Sequence, residues 1–274
     1  MFEILEEKNR PMLAVIFVLL MMIIGMIMFY THRPENTISS EFETYLEEAK
    51  KPKSVEINVS TERVYIRNNI SYVYSINWSS IIFGTDRASI IKYQTENESE
   101  YEFRLYTSNK DTFFCAVVND TFLCYSMKGK LKIPLDQEGS LTILRSIYDK
   151  GGIIFDNNRY ETKNINGFEC TVIRCEIITE KLSDNEKYYI LYSAGVPTDN
   201  NTTIKLANQL KYANFSLCHN NGTSFESISN VYIEVDGKIE MYSQHNVVTK
   251  YKQRNDLTEA DVRIPKDAIL FNAD

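Results

Sequence analysis

From Pro11 to Thr31 the chain carries no charged residue, and Met12–Tyr30 is apolar or aromatic at every position except Gly25. A helix that buries one face in a core is amphipathic, so a run that is apolar all round belongs in lipid. These 19 residues reach about 28 Å as a helix, close to the roughly 30 Å hydrocarbon thickness of a bilayer. A cleaved signal peptide has a shorter apolar region and a small-residue cleavage site. Here the bulky Phe29-Tyr30-Thr31-His32-Arg33 follows instead. The reading is a retained transmembrane helix at 12–30, with residues 1–11 before it and a polar linker at 31–37. Lys8 and Arg10 precede the span and Arg33 follows it, which places residues 1–11 in the cytoplasm and 38–274 outside. The localisation expected is therefore a single-pass membrane protein, contacting the bilayer through residues 12–30.

Two features of the outer part agree with that side. Asn-x-Ser/Thr sequons start at Asn58, Asn69, Asn77, Asn97, Asn119, Asn200, Asn201, Asn214 and Asn221, more than the composition gives by chance. They predict a glycosylated surface. Asn200 and Asn201 overlap, so Asn201 is retained as the acceptor. All five cysteines also lie beyond the span, as in an oxidising compartment.

The cysteines can be tested by strand geometry. Residues 113–124 read as a hairpin turning at Asn119-Asp120. Counting outward from a two-residue turn, Cys115 faces Cys124 at a non-hydrogen-bonded position, with Cα atoms about 4.5 Å apart. That is disulfide range. Cys170 and Cys175 point to opposite faces of a strand and stand about 16 Å apart when extended, so they do not bond each other. One of the two pairs with Cys218, Cys170 being the favoured partner, and one cysteine is left over. His219 adjoins Cys218, but there is no C-x-x-C knuckle and the chain has only three histidines. No metal and no cofactor are expected.

Local patterns set the fold class. Phe42, Tyr45, Leu46 and Ala49 form one apolar stripe of a helix over 39–50, stopped by Pro52. Leu141, Leu144, Ile147 and Tyr148 mark a second helix at 140–148, ended by Gly151-Gly152. Between and after them, β-branched and aromatic residues alternate with period two. Such segments include Val55–Val59, Val64–Ile66, Tyr72–Ile76, Ile90–Tyr93 and Tyr101–Tyr106. Asn166-Gly167 is a strong turn between strands. Asp236-Gly237 is another. There a three-residue loop would face Ile233 with Ile239 and Val231 with Met241, keeping one face apolar. Residues 182–213 read equally as a helix or as irregular strands. No linker divides 38–274. The fold class is mainly β with a few helices: one strongly curved antiparallel sheet, a half-barrel, following the transmembrane helix.

Signatures of chemistry are scarce. There is no G-x-S-x-G, H-E-x-x-H, P-loop or G-x-G-x-x-G, and the net charge of −7 argues against nucleic acid. The alternating Glu96, Glu98, Glu100 and Glu102 suit a solvated face or a protected edge strand. A catalytic set could only assemble around His219 or His245 from distant positions. A curved sheet plugged by two amphipathic helices, by contrast, can open an apolar pocket.

The order of these features resembles LolA-like proteins, the half-barrel family that includes lipoprotein carriers. The likeness is spread over residues 38–265. It runs from a first helix after the membrane signal, through the Cys115–Cys124 hairpin, to the turn and strand Ile165-Asn166-Gly167-Phe168-Glu169-Cys170. Leu217-Cys218-His219-Asn220-Asn221-Gly222 looks like the C-L-D-x-x-G strand-turn of archaeal, membrane-anchored relatives. Leu257–Pro265 looks like a closing D-F-x-x-P, with Val262 where Phe is usual. The resemblance implies a cavity for a lipid or lipopeptide and a non-enzymatic role, although a permanent anchor does not suit a shuttling carrier. The expectation is an anchored, extracytoplasmic domain that binds a hydrophobic ligand or a surface protein. The alternatives are an adhesion-type surface glycoprotein with a filled core, and a tethered hydrolase.

Overall fold

The computed structural model describes residues 37–94, 100–108, 111–118, 121–127, 137–156, 161–196 and 205–271. The expected membrane span lies outside these residues, and no described helix is long and apolar enough to cross a membrane. Residues from Ile38 onward form one compact unit.

That unit is mainly β. A 13-stranded sheet runs in the order β13-β6-β5-β4-β3-β2-β1-β12-β11-β10-β9-β7, with β8 beside β9. It does not close on itself. Two antiparallel meanders make it up. The first comprises β1 (Lys53–Arg67), β2 (Ile70–Gly84), β3 (Asp86–Gln94), β4 (Glu100–Thr107), β5 (Thr112–Val118) and β6 (Thr121–Ser126). The second comprises β7 (Ile153–Phe155), β8 (Glu161–Ile165), β9 (Phe168–Ile177), β10 (Leu210–Asn220), β11 (Thr223–Val235) and β12 (Lys238–Gln253). The meanders join where β1 pairs with β12. The short β13 (Ile269–Phe271) runs parallel to β6.

Helices α1 (Ile38–Ala49), α2 (Gln137–Asp149) and α3 (Asp184–Ser193) lie against one face. The first two stand where the apolar spacing predicts. α1 buries Phe42 and Leu46 completely. The Phe42 ring lies 5.4 Å from Tyr148 of α2, 5.6 Å from Phe155 of β7 and 6.2 Å from Phe215 of β10. The helices thus share one core with Ile173, Ile177, Val231 and Ile233 of the sheet. On the opposite face the segment after β12 covers β3 to β6, where Val262 packs with Ala88, Tyr106, Cys115 and Cys124.

The ambiguous stretch 182–213 holds both kinds of element, α3 and the start of β10, with residues 197–204 outside the described residues. The N-terminus of α3 is closed by Glu186, whose carboxylate accepts from the Ser183 backbone N–H and hydroxyl, both at 2.7 Å. Ser183-Asp184-Asn185-Glu186 is a capping-box sequence.

The Asp236-Gly237 hairpin departs from the predicted register. Ile233 faces Glu240, and Val231 faces Tyr242. Both turn residues have positive φ, 51° and 73°, the conformation of a two-residue turn whose twist matches the strands. The turn geometry overrides the face-segregation argument because the misplaced charge is paired. Glu240 accepts from Tyr65 Oη at 2.9 Å and meets Arg67 Nε at 2.9 Å. The edge-strand alternative for the acidic row does not hold at Glu102. Glu102 lies on an interior strand, between β3 and β5, where it pairs with Arg104 at 2.8 Å. Glu96 and Glu98 are outside the described residues.

Candidate binding cleft

The sheet face under the helices carries, from β1, the odd-numbered side chains Val55 to Arg67. Opposite them are Ile82, Ser80, Trp78 and Ile76 of β2 and Val248, Asn246 and Gln244 of β12. Two half-open cavities of about 250 and 300 Å³ lie between this face and the helices. Both are lined by Tyr45 of α1 and by Ser224, Ser227 and Asn246. The smaller cavity runs towards Leu144, Tyr189, Phe215 and Val231. The larger one has an apolar floor of Val55, Ile57, Val59 and Ile82.

A chain of hydrogen bonds crosses the floor. Trp78 Nε1 donates to Thr61 Oγ1 at 2.9 Å, and Thr61 donates to Asn246 Oδ1 at 2.7 Å. Asn246 Nδ2 donates to Ser227 Oγ at 3.0 Å, while Arg63 Nε donates to Gln244 Oε1 at 2.8 Å. Each polar group of the row is thereby satisfied by a neighbouring strand, which lets it lie beneath helices.

Burial dominates the titration of the groups around the larger cavity. It pushes the Tyr45 phenol up to about 12 and draws the Lys53 ammonium down to about 8 against the opposing pull of Glu48. It draws the Arg87 guanidinium down to about 10. His219 sits behind this wall, 3 % exposed. Burial, reinforced by Lys53, lowers it to about 4. Its ring lies 5.0 Å from that of Tyr45 and 3.4 Å from a Glu41 oxygen, with both ring nitrogens free of hydrogen bonds among the described residues.

The sequence-predicted residues fall mostly outside the cleft. Cys115 and Cys124 face each other across β5 and β6 and are bonded, with Cα atoms 4.0 Å apart. Cys170 and Cys218 form the second disulfide, diagonally across β9 and β10, with a Cα separation of 5.4 Å. Cys175 is the remaining thiol, buried in the helix-covered core, where desolvation raises it. Among the sequons, Asn69, Asn77 and Asn221 are exposed and Asn58 is half-buried. Asn214 is also half-buried, and its Oδ1 accepts from Asn230 Nδ2 at 2.8 Å. Asn97, Asn119 and Asn201 are outside the described residues. His245 meets Glu226 at 3.0 Å on the face away from the helices, so it and His219 are not brought together. No group of side chains suited to hold a metal ion occurs among the described residues.

Sequence reasoning missed Trp78 and Arg87. The signal for Trp78 was its place in the alternation with Ile76, Ser80 and Ile82. Arg87, one residue past the β2–β3 turn, reads as solvent-facing.

No protein-family model and no curated protein matches the chain. Solved structures do match. One is a chain of the Pseudomonas aeruginosa MucA/MucB complex, 13 % identical, with a TM-score of 0.33 over 86 % of this chain. The match spans 64 % of that chain, just under two thirds of its length. A DUF1329 family protein from Desulfovibrio piger is 9 % identical with a TM-score of 0.35, covering 83 % of this chain and 97 % of that one. A LolA superfamily protein from Nitrosomonas europaea is 12 % identical with a TM-score of 0.31, covering 81 % and 97 %. At these identities and scores the matches assign no function.

Proposed function

We propose that the chain binds a hydrophobic ligand, an acyl chain or similar apolar group, between its helices and the covered face of its sheet. The observation that carries this reading is the pair of adjoining cavities walled by Tyr45, the larger floored by four aliphatic side chains. Ligand sites are concave, mostly apolar and fixed by a few placed polar groups, and the Thr61–Asn246–Ser227 row supplies such groups. The LolA-like order of features in the sequence is in keeping with the same ligand class. In this reading residues 12–30 anchor the protein in a bilayer, and residues 38–274 stand outside it, glycosylated on exposed sequons such as Asn69 and Asn77.

The test uses the full chain purified in a neutral, sterol-based detergent that carries no acyl chain. N-phenyl-1-naphthylamine, an uncharged apolar probe, should show saturable fluorescence enhancement. Val59→Phe, which fills the floor of the larger cavity, should lower it. A linear, unsaturable response that Val59→Phe does not change sinks the proposal and favours a filled core. Anchoring is checked separately: the protein should stay with membranes through alkaline carbonate extraction.

A further inference from the structure

Arg87 is the group that the cleft leaves unexplained. It stands on β3 opposite Ile82, on the helix-covered face. Its guanidinium lies over the Trp78 ring, 4.8 Å from the centroid. Nε donates to Ser80 Oγ at 3.0 Å, and that hydroxyl is in turn 2.7 Å from Ser89 Oγ. The ring beneath it is itself held by the Trp78-to-Thr61 bond. So the Nε edge of the guanidinium is held and its carbon sits over the ring, while its two terminal nitrogens have no acceptor among the described residues. No carboxylate pairs with it there. Lys53, two strands away, lines the same cavity. Its Nζ donates to Gly222 O at 2.6 Å and Thr223 Oγ1 at 3.0 Å, again with no ion pair among the described residues.

Arg87 and Lys53 are half-buried, and a cation that has given up part of its hydration and has no ion pair among the described residues has donors free for a ligand. A guanidinium fork set over an aromatic ring with its terminal donors open suits a carboxylate or phosphate. The apolar floor begins beside it at Ile82 and Val55, which face each other across β1 and β2. We infer that the larger cavity takes an amphiphile with an anionic head, the head seated on Arg87 with Lys53 as the second cation, and the chain lying along Val55, Ile57 and Val59. This rests on the binding role proposed above and adds the charge of the ligand. Carboxylate and phosphate heads share the chemistry.

Trp78 is the chain's one tryptophan and lies under the head site, so energy transfer from it to a dansyl group reports occupancy of this cavity. The full chain, in the same neutral detergent, is titrated with 11-(dansylamino)undecanoic acid and with its methyl ester. The acid should bind roughly 10-fold or more tightly than the ester, the range of a hydrogen-bonded charge. Arg87→Met should erase that ratio by weakening the acid more than the ester, and Lys53→Met should reduce the ratio in part. Equal binding of acid and ester by the unaltered protein overturns the inference, and this arm needs no variant to fold. Failure of both probes removes the binding role itself. Displacement of the acid by a fatty acid or by a lysophosphatidate supports the inference and identifies the head. Displacement by inorganic phosphate at the same concentration overturns it, since the site would then select an anion without a chain.

Discussion

Single residues show where the sequence speaks plainly and where it does not. The Cys115–Cys124 pairing followed from counting outward from a turn, because strand alternation fixes which side chains meet. Arg87 gave no such signal. What turns it inward is the pairing of β3 between β2 and β4, and the ring of Trp78. Gly222 is a position where the requirement is steric. It has φ +65°, and a Cβ there would lie 2.2 Å from Ala49 N and 2.3 Å from Glu48 C, against the end of α1. Gly84 has a similar φ of +66° with open space around it. Gly84→Ala should therefore cost only the backbone penalty, about 1 kcal/mol, whereas Gly222→Ala should cost about 3 kcal/mol or more. Urea unfolding midpoints of the two variants compare them directly. His219 makes a pH prediction. Burial holds it at about 4 in the fold, against about 6.5 when unfolded. Between these values the unfolded chain binds the extra proton, so stability is intact above pH 6.5 and falls as pH drops towards 4. The slope is on the order of 1 kcal/mol per pH unit. His219→Leu should flatten the stability profile between pH 6.5 and 5, and an unchanged profile would show that His219 protonates freely in the fold.

At the scale of elements, the helices announced themselves through apolar stripes and the strands through alternation, but joints were harder. At Asp236-Gly237 the register follows the twist of the two-residue turn rather than apolar segregation. The fold instead accepts Glu240 on the covered face by pairing it with Tyr65 and Arg67. α3 was legible in principle through its capping box, yet its polar and apolar residues do not form one stripe. Its attachment depends on Glu186. The side chain of this carboxylate is 5 % exposed, and it bonds Ser183, Ser146 at 2.9 Å and Lys150. Burial alone would raise its pKa, but Lys150, Ser183 and Ser146 together hold it below the usual range. Glu186 thus caps α3 and ties it to α2. Glu186→Gln keeps the shape and removes the charge, and should cost about 3 kcal/mol. The sign with pH is fixed by the lowered pKa. The wild-type contribution is present above pH 4.5 and is lost as pH falls through the folded value. The difference in unfolding free energy between wild type and Glu186→Gln should therefore shrink in acid. A difference constant from pH 7 to pH 3 would refute this account of the clamp.

The whole molecule depends on pairings that local patterns do not contain. Val55 meets Gln253, and the seam between β1 and β12 fuses two meanders into one open sheet. Chemical segregation across that seam gives the sheet its two sides: a C-terminal segment packed on one, helices over cavities on the other. A covering of helices that leaves space beneath it differs from a filled core in its response to ligand. A compound that binds only the folded state stabilises it by about 2.7 kcal/mol at 100 times its Kd. For a unit the size of residues 38–274 that is a rise in Tm of roughly 5–10 °C. The uncharged naphthylamine probe should give such a rise in circular dichroism melts of the full chain. Val59→Phe should hold or raise the Tm of the ligand-free protein by filling empty space, and should shrink the ligand-induced rise. A large rise that survives this filling would place the ligand elsewhere. No rise in either protein would mean that the space under the helices is closed to ligands, as an adhesion-type domain requires.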